Sequence, residues 1–258
     1  KPNAGYSGTP MWKLALERKE QEAAAPSVKI PEGFKPVEKS TEWYYSEKRQ
    51  VYWRSTDGRM YVWDSVAQKH SLLHEARTYE FRAAVGACFH ERASQVKHLL
   101  VRDLLKAGTA LRMNLEHLDR PCALYALYEG HHVGDGATGS GNSCSEFCAK
   151  QLHLKLLPKL SSYRGYWEDK RLEAAMRESF EEVDAEFLER HRASAPGDGC
   201  CAAVALVTGR RLVVASLGDI ACVVVMKGGE ATELLKPHAV SDPDDDDDDS
   251  DDGAAAGA

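Results

Sequence analysis

The stretch Cys122-Ala123-Leu124-Tyr125-Ala126-Leu127-Tyr128-Glu129-Gly130-His131-His132 decides the reading of this chain. Its first seven residues are apolar without a break, the signature of a strand buried on both faces. The run then stops at a carboxylate, a glycine and two histidines. Glu129 offers a hard oxygen ligand, Gly130 lets another backbone approach closely, and His131 can carry a proton near neutral pH. A strand that ends in such groups can present them rigidly as a site. The plainer alternative is a core strand followed by a polar turn.

Downstream, Val133 to Ser143 is rich in Gly and Ser and reads as a loop. A helix is expected from about Cys144 to Leu157, with Phe147, Leu152 and Leu156 on one side and Pro158 near its end. A second is expected from about Glu168 to His191, where Leu172, Met176, Phe180, Val183 and Phe187 form one stripe among charges. The period then changes. Cys200 to Val207, Leu212 to Leu217 and Ile220 to Met226 are apolar runs split by Thr208-Gly209-Arg210 and Gly218-Asp219, which predicts an antiparallel meander.

Upstream, apolar residues from Phe81 to Leu104 fall largely at helical spacing, with Gly108 as a reasonable C-cap. A strand near Ala83–Phe89 remains open, and Leu111 to Arg120 reads as a polar connection. Residues 41–69 form aromatic clusters, Trp43-Tyr44-Tyr45, Tyr52-Trp53 and Tyr61 with Trp63, and Asp57-Gly58 is a hairpin signal. A small β-module with a stacked aromatic face fits. Residues 1–40 carry five of the ten prolines and read as linker, and 241–258 as a disordered acidic tail.

The net charge of −7 is misleading, because nine of the 40 acidic residues are aspartates of the tail. Without them, 33 basic residues face 31 acidic ones, so bulk charge points to neither nucleic acid nor membrane. Seven cysteines, an odd number without a CxxC pair, favour reduced thiols in an intracellular protein. No run approaches the ~20 apolar residues of a membrane helix. The first residue is Lys1 rather than Met, as expected of an excised or processed piece.

Tyr128-Glu129-Gly130-His131, the glycine-rich loop, two helices and the meander together resemble the first half of a metal-dependent (PPM-type, type 2C) Ser/Thr protein phosphatase. The family's Tyr-Asp-Gly-His motif falls on Tyr128 to His131. Its Asp-Gly-Ser-Thr-Ala strand start is matched loosely by Asp198-Gly199-Cys200-Cys201-Ala202. Its Ala-Asn-x-Gly-Asp-Ser-Arg turn is matched by Ala215 to Ala221, and its Leu-Ser-x-Asp-His stretch is echoed by Leu234 to His238.

The resemblance covers about residues 80–240. It implies a two-metal Mg²⁺ or Mn²⁺ centre that activates a water for attack on phosphate. It places metal contacts at Glu129 and at the Gly130 carbonyl, and gives His131 the role of protonating the leaving group. Asp103 is the nearest candidate for the family's upstream metal aspartate, with an ordinary helix carboxylate as the alternative. Arg92 is the nearest candidate for its phosphate-binding arginine.

The departures are as telling. Glu129 stands where the family has Asp, the Ser and Arg of the Gly-Asp-Ser-Arg turn are Ile220 and Ala221, and poly-Asp begins where the second metal-binding half should follow. Asp135-Gly136 reads as a loop turn. A site by resemblance, weakened as a working one, is the reading of Glu129 to His131.

The aromatic module resembles OCRE modules, found in RNA-processing proteins and associated with peptide binding, with a WW-like meander and plain packing as alternatives. The OCRE resemblance implies a proline-rich peptide or RNA as ligand, held by Tyr45, Tyr52, Trp53, Tyr61 and Trp63.

The expected fold is α+β: an antiparallel, phosphatase 2C-like sheet with two long helices over one face, spanning 76–240, and a β-module over 41–69. The expected function is a catalytically impaired phosphatase-like protein that binds a phosphoprotein or other protein partner, away from membranes. An active phosphatase whose other half lies outside this chain, and a structural component of an assembly, are the alternatives.

Overall fold

A computed structural model describes residues 29–80, 95–133, 141–191, 193–194, 197–235 and 238. It divides after Leu73 into two compact units.

The first unit is one antiparallel meander in sequence order: β1 (Lys35–Pro36), β2 (Trp43–Ser46), β3 (Val51–Arg54), β4 (Arg59–Asp64) and β5 (Lys69–Leu72). The sheet therefore reaches into residues read as linker and extends past the end of the expected module. Turn chemistry sets its register. Gly58 takes φ +68° between β3 and β4, and the Asp64 carboxylate accepts from the Val66 and Ala67 amides at 3.0 Å to close the turn before β5.

Period-2 alternation then sorts the aromatics. Tyr45 pairs with Tyr52, Tyr52 with Tyr61 and Trp63 with His70, which puts these side chains and Trp43 on one face. Trp53 pairs with Tyr44 on the opposite face, where it is 3% exposed, near buried Val51 and Val62.

The second unit is built on a four-stranded antiparallel sheet of order β6-β7-β8-β9: β6 (Val96–Val101), β7 (Cys122–His132), β8 (Asp198–Thr208) and β9 (Arg211–Leu217). Its helices are α1 (Leu104–Ala110), α2 (Asn142–Ser162) and α3 (Asp169–His191). The architecture is α+β with two long helices, as expected.

β7 is longer than its apolar run, because Glu129 to His132 continue the ladder against Cys201 to Asp198. The expected burial on both faces is corrected. Leu124, Ala126 and Tyr128 are buried, whereas Leu127, Glu129 and His131 are exposed. Leu100 and Leu212 join Leu127 on the exposed face through the same register.

The helical reading is also corrected upstream. Val96 to Val101 pairs with β7 as a strand, so α1 is a short helix with Asp103 as its N-cap. Residues 81–94, which hold the rest of that expected helix, lie outside the described residues. Gly108 is not a cap but a buried position inside α1, where a Cβ would come within 2.7 Å of the Leu115 side chain. Nor is 111–120 a polar connection, because Leu115, His117, Leu118 and Asp119 are all buried. Asp119 binds His74 Nε2 at 2.9 Å and the Arg77 amide at 2.8 Å, tying residues that a hydropathy reading leaves in a loop.

Helix α2 runs four residues past Pro158. Leu156, Leu157 and Leu160 are almost wholly buried there, and that packing outweighs the roughly 3 kcal/mol a helical proline costs. Facing α3, Phe147 meets Phe187 with centroids 5.5 Å apart, and Lys159 bridges Glu178 and Glu182 at 3.0 and 2.6 Å. The meander is shorter than expected. β10 (Cys222–Val225) leaves the sheet to pair with β11 (Ala231–Leu235) as a separate hairpin.

His117 makes the second unit acid-sensitive. Its Nε2 lies 2.9 Å from the Leu160 carbonyl, and burial brings its pKa down to about 4, the carbonyl opposing. The unfolded value is about 6.5, so on acidification the unfolded chain takes up this proton first. Stability from this group is intact above pH ~6.5 and falls by about 3 kcal/mol on the way to pH 4. Urea titrations at pH 7 and 4.5 should show this loss in the native chain and a smaller one in His117→Gln.

Candidate phosphatase-like site at the end of β7

Backbone packing shapes the end of β7. A Cβ on Gly130 would collide with the carbonyl and Cα of Gly141, the residue that caps α2 with φ +66°. Gly130 therefore lets the strand press directly on the start of a helix. His131 lies over Gly199 in the neighbouring strand, where a Cβ would strike the imidazole ring.

Next to it, His132 Nδ1 is 2.8 Å from the carboxylate of Asp198, which also accepts from the Gly141 amide at 3.2 Å. The Asp198 side chain is only 3% exposed. One carboxylate thus ties β7, β8 and α2 together. Sequence reading gave Asp198 only a place in a loose strand-start match and His132 no role at all. The register places them directly opposite each other at one end of the β7–β8 pair.

The sequence candidates separate. Glu129 and His131 share the exposed sheet face, two residues apart on one strand, while Gly130 faces the helices. His98, unremarked in the sequence, pairs with Leu127 and so lies diagonally from Glu129 on the same face. Asp103 is not brought there. Val96 is opposite Glu129 and Val101 opposite Leu124, so Asp103 lies beyond the far end of the strand pair. Five strand residues alone span about 17 Å. There its Oδ1 accepts from the Lys106 amide at 3.1 Å, the ordinary work of an N-cap. Arg92 and Asp135-Gly136 lie outside the described residues.

Among the described residues, no three His, Cys, Asp or Glu side chains are grouped to hold a metal. Mg²⁺ and Mn²⁺ need several oxygen ligands in near-octahedral array. Glu129 supplies one carboxylate and Asp198, the other at this end, is bound to His132 and the Gly141 amide, so the described residues do not by themselves fit the two-metal centre of the family.

In the first unit, Tyr45, Tyr52, Tyr61 and Trp63 share a face that sequence reading left without Trp43 and His70. Trp43 stacks on His70 at 4.1 Å and meets Tyr61 edge-on at 4.9 Å. Trp53 belongs to the other face and is corrected from that set. Tyr61 is itself 7% exposed. Its hydroxyl binds Asp57 and Arg54, whose guanidinium lies 4.8 Å from the Tyr61 ring centroid and 5.5 Å from that of Trp43. The face already holds a cation of its own.

The family assignment follows from the chain as a whole. Residues 110–246, more than half the chain, match the family described as Protein phosphatase 2C. The chain belongs to the protein phosphatase 2C family, as its strand, helices and β8–β9 hairpin lead one to expect. The match begins after the aromatic unit.

"Probable protein phosphatase 2C 52" of Oryza sativa subsp. japonica is 25% identical over 126 residues, 49% of this chain and 23% of its own length. "Probable protein phosphatase 2C 30" of Arabidopsis thaliana is 29% identical over 117 residues, 45% of this chain and 26% of its own. The chain spans about a quarter of the length of these relatives. Among solved structures, the serine/threonine phosphatase Stp1 of Staphylococcus aureus aligns at TM-score 0.40 and 15% identity over 62% of this chain and 58% of its own. A C. elegans sex determining protein aligns at 0.42 and 20% over 58% and 32%.

Proposed function

We propose that this chain is a catalytically impaired phosphatase 2C domain that acts in binding or assembly, in an intracellular setting, on a phosphoprotein or other protein partner. One observation carries the reading: the strand register separates Asp103 from Glu129, and the other described carboxylate at that strand end, Asp198, is bound to His132 and the Gly141 amide. Glutamate in the aspartate position adds a methylene, which a small, rigid Mg²⁺ or Mn²⁺ site accommodates poorly. The exposed Leu100, Leu127 and Leu212 on the same sheet face support a role in contact rather than turnover. Among the described residues, no helix is long and apolar enough to cross a membrane. The aromatic face of the first unit, with half-buried Tyr45 and Tyr52 and exposed Trp63, suits stacking on a proline-rich peptide or on RNA bases.

The second reading is an active Mg²⁺- or Mn²⁺-dependent protein Ser/Thr phosphatase completed by residues outside this chain. It is favoured by the retained Gly130-His131 geometry. Hydrolysis of p-nitrophenyl phosphate with Mn²⁺ or Mg²⁺ separates the two. The impaired reading expects background rates that Glu129→Ala leaves unchanged. Turnover that the substitution abolishes would overturn it.

A further inference from the structure

At the opposite end of β7 from Glu129, about 23 Å along the strand, a cavity of about 670 Å³ opens between the end of β6, α1 and the chain leading into Cys122. Its apolar lining includes Leu115 and Cys122, 1% and 3% exposed, with half-buried Met113 and Pro121. Around it stand three exposed arginines, Arg102, Arg112 and Arg120. Lys106 is there too, but its ammonium lies 3.5 Å from the Asp103 carboxylate, so its charge is answered. No ion pair or hydrogen bond among the described residues engages the three guanidinium groups. Glu116 is the other carboxylate of the lining, and the three arginines outnumber it. The phosphatase reading uses none of these groups.

The backbone fixes where each arginine starts. Arg120 is held on both sides, its amide donating to the Arg77 carbonyl at 2.7 Å and its carbonyl accepting from the Tyr79 amide at 2.8 Å. Arg102 immediately precedes the N-cap of α1, and Arg112 closes the same helix. The Arg112 amide donates to the Thr109 carbonyl at 3.0 Å and the Met113 amide to the Gly108 carbonyl at 2.8 Å, the pairing of a helix that ends through a left-handed residue. Arg112 is that residue, at φ +58°. The position usually falls to glycine, because a side chain is strained there. The chain thus sets a cation where the backbone favours no side chain, beside two further cations and a cavity. Strain kept in this way points to a use for the side chain.

We infer that this cavity binds a small phosphomonoester, its phosphate held by Arg102, Arg112 and Arg120 and its organic body laid on Met113 and Leu115. Guanidinium groups match phosphate oxygens with paired hydrogen bonds, and three of them around one cavity supply the charge that a single surface cation lacks. A volume of this size suits one small molecule rather than an extended chain. Thr109 adds no donor, since its hydroxyl already donates to the Leu105 carbonyl at 2.9 Å. Asn114 accepts the Glu116 amide through Oδ1 at 3.0 Å and keeps its side-chain N–H groups for the ligand. Glu116 opposes the phosphate and limits the hold on it.

The test is isothermal titration calorimetry of the full chain with phenylphosphonate, which carries the charge and a ring and resists hydrolysis. One-to-one binding tighter than about 1 mM is expected, several-fold weaker for inorganic phosphate and absent for benzyl alcohol. Arg112→Gly is the decisive variant, because it removes the guanidinium and relieves the backbone. Its melting temperature should hold or rise while binding weakens about tenfold, the loss of one charge-assisted hydrogen bond. Arg120→Gln should weaken binding by a similar factor, and Glu116→Gln should strengthen it. His131→Ala, at the other end of β7, should leave it unchanged. No binding, binding untouched by Arg112→Gly and Arg120→Gln, or binding lost in His131→Ala would overturn the site. A phosphoserine peptide held more tightly than phenylphosphonate would overturn the small-molecule class.

Discussion

Gly130→Ala is expected to destabilise the second unit by about 3 kcal/mol or more, the scale of overpacking a closed site with backbone on both sides. The added Cβ meets the Gly141 carbonyl and Cα rather than a side chain that could swing away. Relief requires β7 to part from the N-terminus of α2, and that pulls on Asp198, which holds His132 and the Gly141 amide. Denaturant titration followed by far-UV circular dichroism should show the loss. Gly58→Ala, at a turn where a Cβ meets nothing within 4 Å, serves as the contrast. Its positive φ of +68° costs only the backbone term of about 1 kcal/mol. Equal effects of the two substitutions would mean that β7 and α2 do not press together as described.

The second large effect belongs to the aromatic unit. Trp53→Ala removes a side chain that is 3% exposed, a loss of about 3–5 kcal/mol for a buried tryptophan. A sheet of roughly 40 residues has only a few kcal/mol to lose, so this unit should unfold in the variant. Trp63 is 46% exposed, and Trp63→Ala should cost under about 1 kcal/mol. Near-UV circular dichroism of the full chain reads both. The comparison also checks the assignment of faces, since the two tryptophans differ in sequence only by their register.

The sequence carried the large elements of this fold because their periods are clean. The α3 stripe at spacings of three and four is buried as read except at Phe180, which stays half-exposed. The strand at Cys122 was legible from its apolar run, and its own Tyr128 to His131 motif with three further motifs downstream carried the family resemblance. What hydropathy could not supply was register. Val96, Leu100 and Leu104 fit a helix by spacing, yet pairing with β7 makes two of them strand residues and the third the start of a helix. That pairing alone removes Asp103 from the site. Likewise, unbroken apolar residues in β7 do not say which face a helix will cover, so double-sided burial was the wrong inference from a correct strand.

At the site, chemistry was legible one residue at a time and geometry was not. The need for glycine at 130 was readable in kind, as close backbone approach, but its partner Gly141 was hidden in a loop. Trp53 was grouped with its neighbours because composition clusters aromatics that a pleat sends to opposite faces.

The central claim is that the strand end keeps the family's shape without its metal chemistry. Manganese binding followed by electron paramagnetic resonance, in the chain and in Glu129→Ala, tests it most directly. The account predicts weak, loosely held Mn²⁺ attributable to surface and tail carboxylates, identical in the two proteins. A discrete tight site present in the chain and lost in Glu129→Ala would contradict it.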